Sequence, residues 1–254
     1  MNLKMIRLIK PYLKKFLPNS IINFFAIYLN FFRNESFSQE GEDLILKRLF
    51  DLIKPNNKGF YIDIGAHHPV RFSNTYLFYR KNWKGVNIDA MPGSMKAFNT
   101  FRPRDINIEV PVSDKSEILT YYVFNEPAIN GFDKNIAQNI SSDESNNFFI
   151  KSQREIKTMT ATEIFDQHVP FEQEIDFITI DVEGFDYKAL KSIDLIKYKP
   201  KVILIEVLNN ESQSFLNNDA NDLLHANEYT LYARTVNTSI YIKNKIFAEI
   251  IKGT

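Results

Sequence analysis

Residues 60–68 read FYIDIGAHH, an apolar run that ends in a glycine and two histidines. A continuous apolar run of this kind predicts a strand buried on both faces, which is typical of parallel sheets. Gly65 lets the chain turn tightly after the strand and approach a ligand. Apolar runs of this kind alternate along the chain with helical patterns, which predicts an α/β fold. We expect a single doubly wound, Rossmann-like, mostly parallel sheet with helices on both faces. The further strands are predicted at 86–89, 106–112, 177–181 and 202–207.

The segments around these strands complete the predicted fold. Apolar residues at helical spacing predict a helix over 42–53, and the sequence TATE at 160–163 matches a capping box at the start of another. Residues 118–124 follow the third strand closely, which favours antiparallel pairing, and 229–242 reads as a C-terminal antiparallel hairpin. Residues 133–157 are polar and irregular, which predicts a loop, either solvated or forming a lid over an acceptor.

Composition limits the class of protein. The chain has 254 residues, 44% of them hydrophobic, which is enough for one well-buried core. Its 31 basic and 31 acidic residues balance, so no net charge favours nucleic acid as a partner. The absence of cysteine excludes disulfides and thiolate catalysis and is compatible with a cytoplasmic protein. We predict two parts, a basic and aromatic helical extension (1–36) and the α/β domain (37–254).

The N-terminal extension combines positive charge with aromatic residues. Residues 1–15 carry five basic side chains and no acid, and an apolar run at 21–32 follows. This run is too short to span a bilayer, which needs about 20 apolar residues. Three interpretations stay open: a helix packed on the domain or on a second copy in a homo-oligomer, a helix in peripheral contact with the inner membrane surface, and a signal-peptide core. No small-residue cleavage site supports the third.

Carboxylates mark the predicted strand ends at Asp63, Asp89, Asp181 and Glu206. Because the carboxyl ends of parallel strands meet at one edge of a sheet, these acids form a negative rim where ligands bind. Such a rim suits a cationic ligand, a metal, or hydroxyl donors such as ribose. Asp89 lies 24 residues after Gly65, near the spacing of about 20 at which an acid binds ribose hydroxyls. The missing G-x-G-x-x-G fingerprint disfavours a nicotinamide oxidoreductase.

Three residues near the rim could act as a general base: His67, His68 and Glu183. Imidazole titrates near neutrality, which suits proton transfer, although either histidine could instead cap or pack within its loop. Glu183 follows Asp181 closely, so one carboxylate could bind the ligand while the other takes a proton, or it could cap the next helix. Hard oxygen ligands also suit a divalent metal such as magnesium, but we predict no metal site.

Seven blocks of the sequence stand in order along the chain: residues 37–43, 59–68, 73–76, 83–90, 112–114, 178–185 and 203–206. Taken together, they resemble the FkbM-type family of S-adenosylmethionine-dependent methyltransferases. Together they extend over about residues 37–210, and the first 36 residues and the final hairpin lie outside the most recognisable part. The resemblance implies a class I methyltransferase fold and O-methylation, often of sugars or polyketide-type natural products.

The resemblance also implies positions that bind the cofactor. Asp63 and Gly65 resemble the motif beneath the methionine part of S-adenosylmethionine, and Asp89 resembles the acid that binds its ribose. Asp181 and Glu183 lie in the family signature after the fourth strand. The first loop has a single glycine, which departs from the broader methyltransferase pattern more than from this family.

Two further blocks supply the remaining cofactor-binding candidates. Gln39 and Asp43 fall in the leading block, which the resemblance places at the border of the cofactor pocket. Ser113 and Asp114 stand where residues near the adenine are expected.

We therefore predict an S-adenosylmethionine-dependent methyltransferase that methylates a hydroxyl group on a glycan or related small molecule, either free or lipid-linked. Glu183, His67 and His68 are the candidate catalytic residues. Two alternatives stay open: a nucleotide-sugar glycosyltransferase that uses Asp181 and Glu183 for a metal, and a non-catalytic scaffold that binds the cofactor. Four residues could line the acceptor site or simply pack: Tyr121, Tyr122, Phe124 and Asn130.

Overall fold

The computed structural model describes residues 18, 20, 21, 24, 28, 33–54, 58–182, 184–207 and 219–252. The chain forms two compact units, Met1–Ser36 and Phe37–Thr254. In the first unit the rings of Phe24 and Tyr28 stack on a helix, with centroids 6.3 Å apart. Most of the N-terminal extension lies outside the described residues. Among the helices within those residues, none is long and apolar enough to cross a membrane.

The second unit is built on one seven-stranded sheet and a separate two-stranded sheet. Its strands are β1 (Phe60–Ile64), β2 (Lys84–Asp89), β3 (Ile106–Glu109), β4 (Ile118–Phe124), β5 (Ile150–Lys157), β6 (Phe177–Ile180), β7 (Val202–Glu206), β8 (Tyr229–Arg234) and β9 (Thr238–Lys243).

The large sheet has the strand order β3-β2-β1-β6-β7-β9-β8. Parallel pairs join β1 to β2 and β6, β2 to β3, and β6 to β7. Strand β9 runs antiparallel to both of its neighbours, β7 and β8. The predicted mostly parallel sheet and its C-terminal antiparallel hairpin are therefore confirmed, and the first three strands along the chain leave their carboxyl ends at one edge beside that of β6.

Helices cover both faces of this sheet. They are α1 (Glu42–Ile53), α2 (Tyr76–Arg80), α3 (Met95–Phe101), α4 (Lys134–Ser142), α5 (Ala161–His168), α6 (Asp186–Lys191), α7 (Leu195–Tyr198), α8 (Asp219–Ala226) and α9 (Asn244–Lys252). The capping box that starts α5 is present as predicted, since Thr160 and Glu163 bond each other's backbone N–H groups.

Two apolar cores lie on opposite faces because successive strand residues point to opposite sides of a sheet. Ile62 and Ile64 of β1 pack on the face covered by α5, α6, α7 and α8. Tyr61, the residue before Ile62, packs on the other face with α1 and α2, and α9 adds partly buried residues there. Strand β1 is buried along its whole length, which explains its continuous apolar pattern.

Residues 133–157 do not form the irregular loop that their polarity predicts. The carboxylate of Asp133 accepts hydrogen bonds from the N–H groups of Asn135 and Ile136 and starts α4. Strand β5 pairs antiparallel with β4 in the two-stranded sheet. Its side chains are half-buried or exposed, so its sequence lacks the apolar run of a core strand. Helix α9 is also missing from the prediction, because it buries no residue fully.

Candidate functional site

A cleft with an empty volume of about 860 Å³ lies beyond the carboxyl ends of β1, β2, β3 and β6. Ligands bind at this edge in doubly wound α/β folds. The strands supply one wall, and the segment after β4 supplies part of the other. We call it the large cleft, and its lining residues are Gln39, Ile64, Gly65, His67, Phe72, Ile88, Asp89, Ala90, Met91, Val110, Pro111, Val112, Tyr121, Pro127, Asn130, Gly131, Phe132, Asp181 and Val182.

Gly65 forms the floor of the large cleft in a conformation that side chains disfavour. Its φ angle is +85°, and a Cβ atom built there would lie 1.7 Å from the carbonyl oxygen of Asp181. The N–H groups of Gly65 and Ala66 donate to the carbonyl oxygen of Ile88 at 2.8 and 3.0 Å. The backbone after β1 is therefore held tightly between the ends of β2 and β6, and only glycine fits.

Asp89 connects the loops that follow β1 and β2. Its Oδ2 accepts the N–H of His67 at 2.9 Å, and its Oδ1 accepts the N–H of Met91 at 2.8 Å. Burial raises the pKa of Asp89 above its usual range, although these two N–H groups oppose the shift. A carboxylate offers about four acceptor sites, so Asp89 keeps capacity to accept hydrogen bonds from a ligand in the cleft.

The two histidines of the first loop have different surroundings. His67 lines the large cleft, and burial lowers the pKa of its imidazole, which is therefore neutral at pH 7. The Nδ1 of His68 accepts the N–H groups of Val70 and Arg71 at 3.1 and 2.9 Å and closes the following turn. The structure does not bring His68 into the cleft, and its observed role is to cap the loop.

Two predicted cofactor ligands are buried away from the large cleft. Asp63 is 6% exposed and accepts the hydroxyl of Thr75 at 2.6 Å. Burial raises the pKa of Asp63 to about 6. Asp43 is fully buried, and its two carboxylate oxygens accept the N–H of Phe37 and the hydroxyl of Ser38. Asp63 thereby holds Thr75 at the start of α2, and Asp43 fixes the block that brings Gln39 to the wall of the cleft.

Ser113 and Asp114 also lie outside the lining of the large cleft. Ser113 is fully buried, its N–H donates to the carbonyl oxygen of Met159 at 3.0 Å, and its hydroxyl lies 3.4 Å from a carboxylate oxygen of Asp114. The preceding residue, Val112, faces the cleft instead. The block that resembles the adenine-binding region therefore contributes an apolar wall rather than these two polar side chains.

Of the four residues predicted either to line an acceptor site or to pack, two line the large cleft and two do not. Tyr121 and Asn130 line the large cleft. Tyr122 and Phe124 pack in a small apolar core with Ala137, beneath the two-stranded sheet.

A second cleft, of about 280 Å³, adjoins the first. Both clefts are lined by Gln39, Phe72 and Asp181, so these three residues stand where the clefts meet. We call it the small cleft, and its full lining is Gln39, Glu40, Glu42, Phe72, Asn74, Asp181, Glu206, Asn237 and Thr238.

Three carboxylates, those of Asp181, Asp186 and Glu206, place oxygen atoms within 4.8 Å of one another. A side-chain hydrogen bond links Asp181 to Glu206. The oxygens of Asp186 accept the N–H groups of Val182 and Gly184 at 2.9 and 3.0 Å. The cluster is thus a hydrogen-bonded acid group at the end of β6 and β7. Glu183, the predicted base in this segment, lies outside the described residues.

Asp181 is an exposed residue at the clefts, and the carboxyls of Asp186 and Glu206 lie beside its own. Desolvation on the protein side of the carboxyl raises its pKa well above the usual range, and the negative charges of Glu206, Asp186 and Asp63 raise it further. Like charges in one site disfavour ionisation in this way.

Lowering the pH from 7 to 5 will stabilise the wild-type protein more than the Asp186→Asn variant, by about 1 kcal/mol. Burial raises the pKa of Asp186 to about 6, so the folded protein holds a proton that the unfolded chain releases. This contribution is complete below the ordinary carboxyl pKa and is lost as the pH rises through about 6. Urea unfolding at both pH values measures it. An equal response in the two proteins would contradict the prediction.

Sequence reasoning missed most of the small cleft. Asn74 belongs to the block at residues 73–76 that resembles the FkbM-type family, and this membership could have marked it as a candidate site residue. Glu40 and Glu42 follow the predicted ligand Gln39, but no pattern separated them from ordinary helix-start acids. Asn237 and Thr238 belong to the C-terminal hairpin, outside the recognisable blocks, and carry no sequence signal for this role.

The strand order, with β9 reversed between β7 and β8, and the cleft beyond the parallel strands define the class I methyltransferase fold. The sequence profile of the Methyltransferase FkbM domain matches residues 63–231. The chain belongs to the FkbM methyltransferase family.

Comparison with solved structures finds proteins that are similar at low sequence identity. The N-terminal domain of human METTL16 has a TM-score of 0.38 and 13% identity, covering 79% of this chain and 68% of that chain. A putative caffeoyl-CoA O-methyltransferase from Staphylococcus aureus has a TM-score of 0.37 and 13% identity, covering 95% of this chain and 100% of that chain. No curated protein sequence matches the chain.

Proposed function

We propose that this methyltransferase binds S-adenosylmethionine in the large cleft and transfers its methyl group to a hydroxyl oxygen of a glycan or related small molecule. The observation that carries the proposal is the position of Asp89. Its carboxylate faces the cleft at the end of β2 and is tied by a hydrogen bond to the loop that Gly65 begins. A ribose bound there could donate its hydroxyls to an acid held between two backbone N–H groups.

The rest of the large cleft fits the same cofactor. Val110, Pro111 and Val112 form an apolar wall suited to the adenine ring. Asp89 and Asp181 give the cleft negative character, which favours the sulfonium cation. The cofactor supplies an electrophilic methyl group when it is bound.

The composition of the lining disfavours the nucleotide-sugar alternative. Among the described residues that line the large cleft, none is lysine or arginine. A diphosphate would meet two carboxylates there without a positive partner, whereas S-adenosylmethionine has no phosphate. The scaffold alternative makes a different prediction, since it binds the cofactor without methyl transfer to any acceptor.

The chain's residues have three tasks in such a reaction. They must align the acceptor oxygen with the methyl carbon and sulfur, exclude water, and take the proton from the acceptor hydroxyl. The segment after β4, with Asn130 and Phe132, covers one side of the large cleft and limits access of water. His67 lies beside Asp89, at the ribose end of the cleft, which suits a contact with the cofactor better than proton transfer at the acceptor.

Asp89→Asn will weaken binding of S-adenosylhomocysteine by about ten- to hundredfold, as expected for losing hydrogen bonds to a charged group. Asparagine keeps the size and one acceptor oxygen of Asp89, but its NH₂ group must face one of the two backbone N–H groups that the carboxylate accepts, so thermal unfolding is also measured as a check of the fold. Isothermal titration calorimetry measures the dissociation constant, with Asp166→Asn on the surface of α5 as the matched control. Unchanged affinity in Asp89→Asn would remove Asp89 from the cofactor site. A wild-type protein that fails to bind S-adenosylhomocysteine would refute the proposed function.

We extend the proposal to the surroundings of the enzyme. The acceptor is a small molecule or glycan, free or lipid-linked, and not a nucleic acid. The enzyme works in the cytoplasm, with residues 1–36 providing a peripheral contact to the inner membrane surface or to a second copy of the chain. The support is the basic and aromatic character of that segment.

A further inference from the structure

The contact between the two clefts fixes where methyl transfer can take place. A transferred methyl group requires cofactor and acceptor to meet with the reacting atoms about 3 Å apart. If the large cleft holds the cofactor, the acceptor must reach the junction with the small cleft. Gln39, Phe72 and Asp181 are the described residues that line both. Asp181 alone among these three has a side chain that can accept a proton as a base.

The small cleft has the chemistry of a site for hydroxyl-rich molecules. Its lining combines acids with the amides of Asn74 and Asn237 and the hydroxyl of Thr238, all of which can hydrogen-bond a hydroxyl group. The ring of Phe72 is 44% exposed at the junction and offers an apolar surface. These groups resemble those of a polar ligand site rather than of a groove for an apolar chain.

The charge of the small cleft restricts its ligand further. Four lining residues are acids, Glu40, Glu42, Asp181 and Glu206, and no described lining residue is basic. Burial alone would raise the pKa of Glu40, but hydrogen bonds, first from the N–H of Asn237, hold it below its usual range, so this group stays ionised. An acceptor with a carboxylate or phosphate would meet this negative charge, whereas a neutral hydroxyl compound or an ammonium group would not be repelled.

Asp181 is the best-placed proton acceptor because of its partner. It hydrogen-bonds Glu206, whose strand β7 ends beside β6, and the other charged groups that act on it, Asp186 and Asp63, are also acids. This surrounding makes the ionised pair a stronger base than an isolated carboxylate. A base is most effective when its pKa approaches the operating pH.

We propose that a neutral or amino-bearing polyhydroxyl acceptor, such as a sugar, enters through the small cleft and that the Asp181–Glu206 pair takes the proton of the reacting hydroxyl. The inference rests on the proposed function. The acceptor O–H bond breaks as the new O–CH₃ bond forms, and the methyl carbon leaves the sulfonium with its bonding electrons remaining on sulfur. The products are a methyl ether and neutral S-adenosylhomocysteine, and the proton leaves the pair to water through the open cleft.

The first test measures acceptor binding without turnover. The protein is saturated with S-adenosylhomocysteine, and saturation-transfer NMR then compares methyl glucopyranoside, its 2-amino-2-deoxy analogue and methyl glucuronide, which share a ring and differ in charge. The expected order is amino analogue, then neutral glycoside, then glucuronide. Glu206→Gln should reduce the preference for the amino analogue. No binding by any glycoside, or strongest binding by the glucuronide, would overturn the acceptor assignment.

The second test follows the proton. S-adenosylhomocysteine release is measured with the best-binding glycoside, and Asp181→Asn should lower kcat by about 100-fold or more, the usual range for loss of a base. Its dissociation constant for S-adenosylhomocysteine should change by less than about threefold. In Glu206→Gln, the rise of kcat with pH should move to lower pH, because a neighbouring charge that raises the pKa of Asp181 is gone. Asp166→Asn is the exposed control.

The remaining possible results would each contradict one part of the proposal. Full turnover in Asp181→Asn, no glycoside-dependent turnover in the wild type, or an unmoved pH profile in Glu206→Gln would overturn the role of the pair. Loss of S-adenosylhomocysteine binding in Asp181→Asn would make Asp181 a cofactor ligand instead. Activity that requires magnesium and is lost with EDTA would make the cluster a metal site. Failure of the wild type to bind S-adenosylhomocysteine would refute the proposed function itself, before these variants are compared.

Discussion

Replacing Arg102 with methionine will lower the free energy of unfolding by about 3–5 kcal/mol, the usual cost of removing one member of a buried ion pair. Arg102 is fully buried. Its guanidinium donates to Asp105 at 2.9 Å, to the hydroxyl of Tyr61 at 2.8 Å and to the hydroxyl of Thr75 at 2.9 Å. Methionine fills a similar volume without charge, so the buried carboxylate of Asp105 loses its positive partner. Urea unfolding followed by circular dichroism measures the change.

The control for this prediction is a nearby arginine on the surface. Arg104 is exposed, although its guanidinium lies over the ring of Tyr79 at 3.9 Å. Arg104→Met should therefore cost less than about 1 kcal/mol, the range of surface interactions. If both variants lose the same free energy of unfolding, burial of the Arg102 charge adds nothing beyond the loss of an arginine. The comparison separates the buried network from a general effect of removing arginine.

The buried network also explains why Asp63 lies outside the lining of the large cleft. Its place at the end of an apolar strand, among three other strand-end acids, predicts a ligand-binding side chain. Successive strand residues point to opposite faces, however, and Asp63 points to the same side as Tyr61. On that side it accepts the hydroxyl of Thr75 and interacts with the positive charge of Arg102. Those partners lie 12 and 39 residues further along the chain. The local sequence pattern identifies an acid at a strand end, but the partners of that acid come from distant segments that only the folded protein brings together.

The parallel strands themselves were predictable because burial on both faces leaves a continuous apolar run. The capping box at Thr160 was also predictable, since its partners stand three residues apart. The small cleft as a whole was not, because its wall combines one to three residues from each of five separate segments, near positions 40, 74, 181, 206 and 237. Such a site has no spacing of its own in the sequence and exists only through the topology of the sheet.

Gly65→Ala will weaken binding of S-adenosylhomocysteine by about ten- to hundredfold, the range expected when hydrogen bonds to a charged group are lost. The new Cβ would lie 1.7 Å from the carbonyl oxygen of Asp181, so the loop after β1 must move away from β6. That movement carries the His67 N–H away from Asp89 and breaks the link between the two loops of the large cleft. Calorimetry measures the affinity, and thermal unfolding checks that the protein is folded.

Gly93→Ala is the matched control, because it separates the steric overlap from the cost of the backbone conformation. Gly93 has a φ of +88°, close to the +85° of Gly65, but a Cβ built there meets nothing within 4 Å. Both variants carry the penalty of about 1–2 kcal/mol for a side chain in the left-handed region. Only Gly65→Ala also displaces the floor of the cleft, so a similar loss of affinity in both variants would contradict the role assigned to Gly65. Loss in Gly65→Ala alone would locate the cofactor at the junction of β1, β2 and β6.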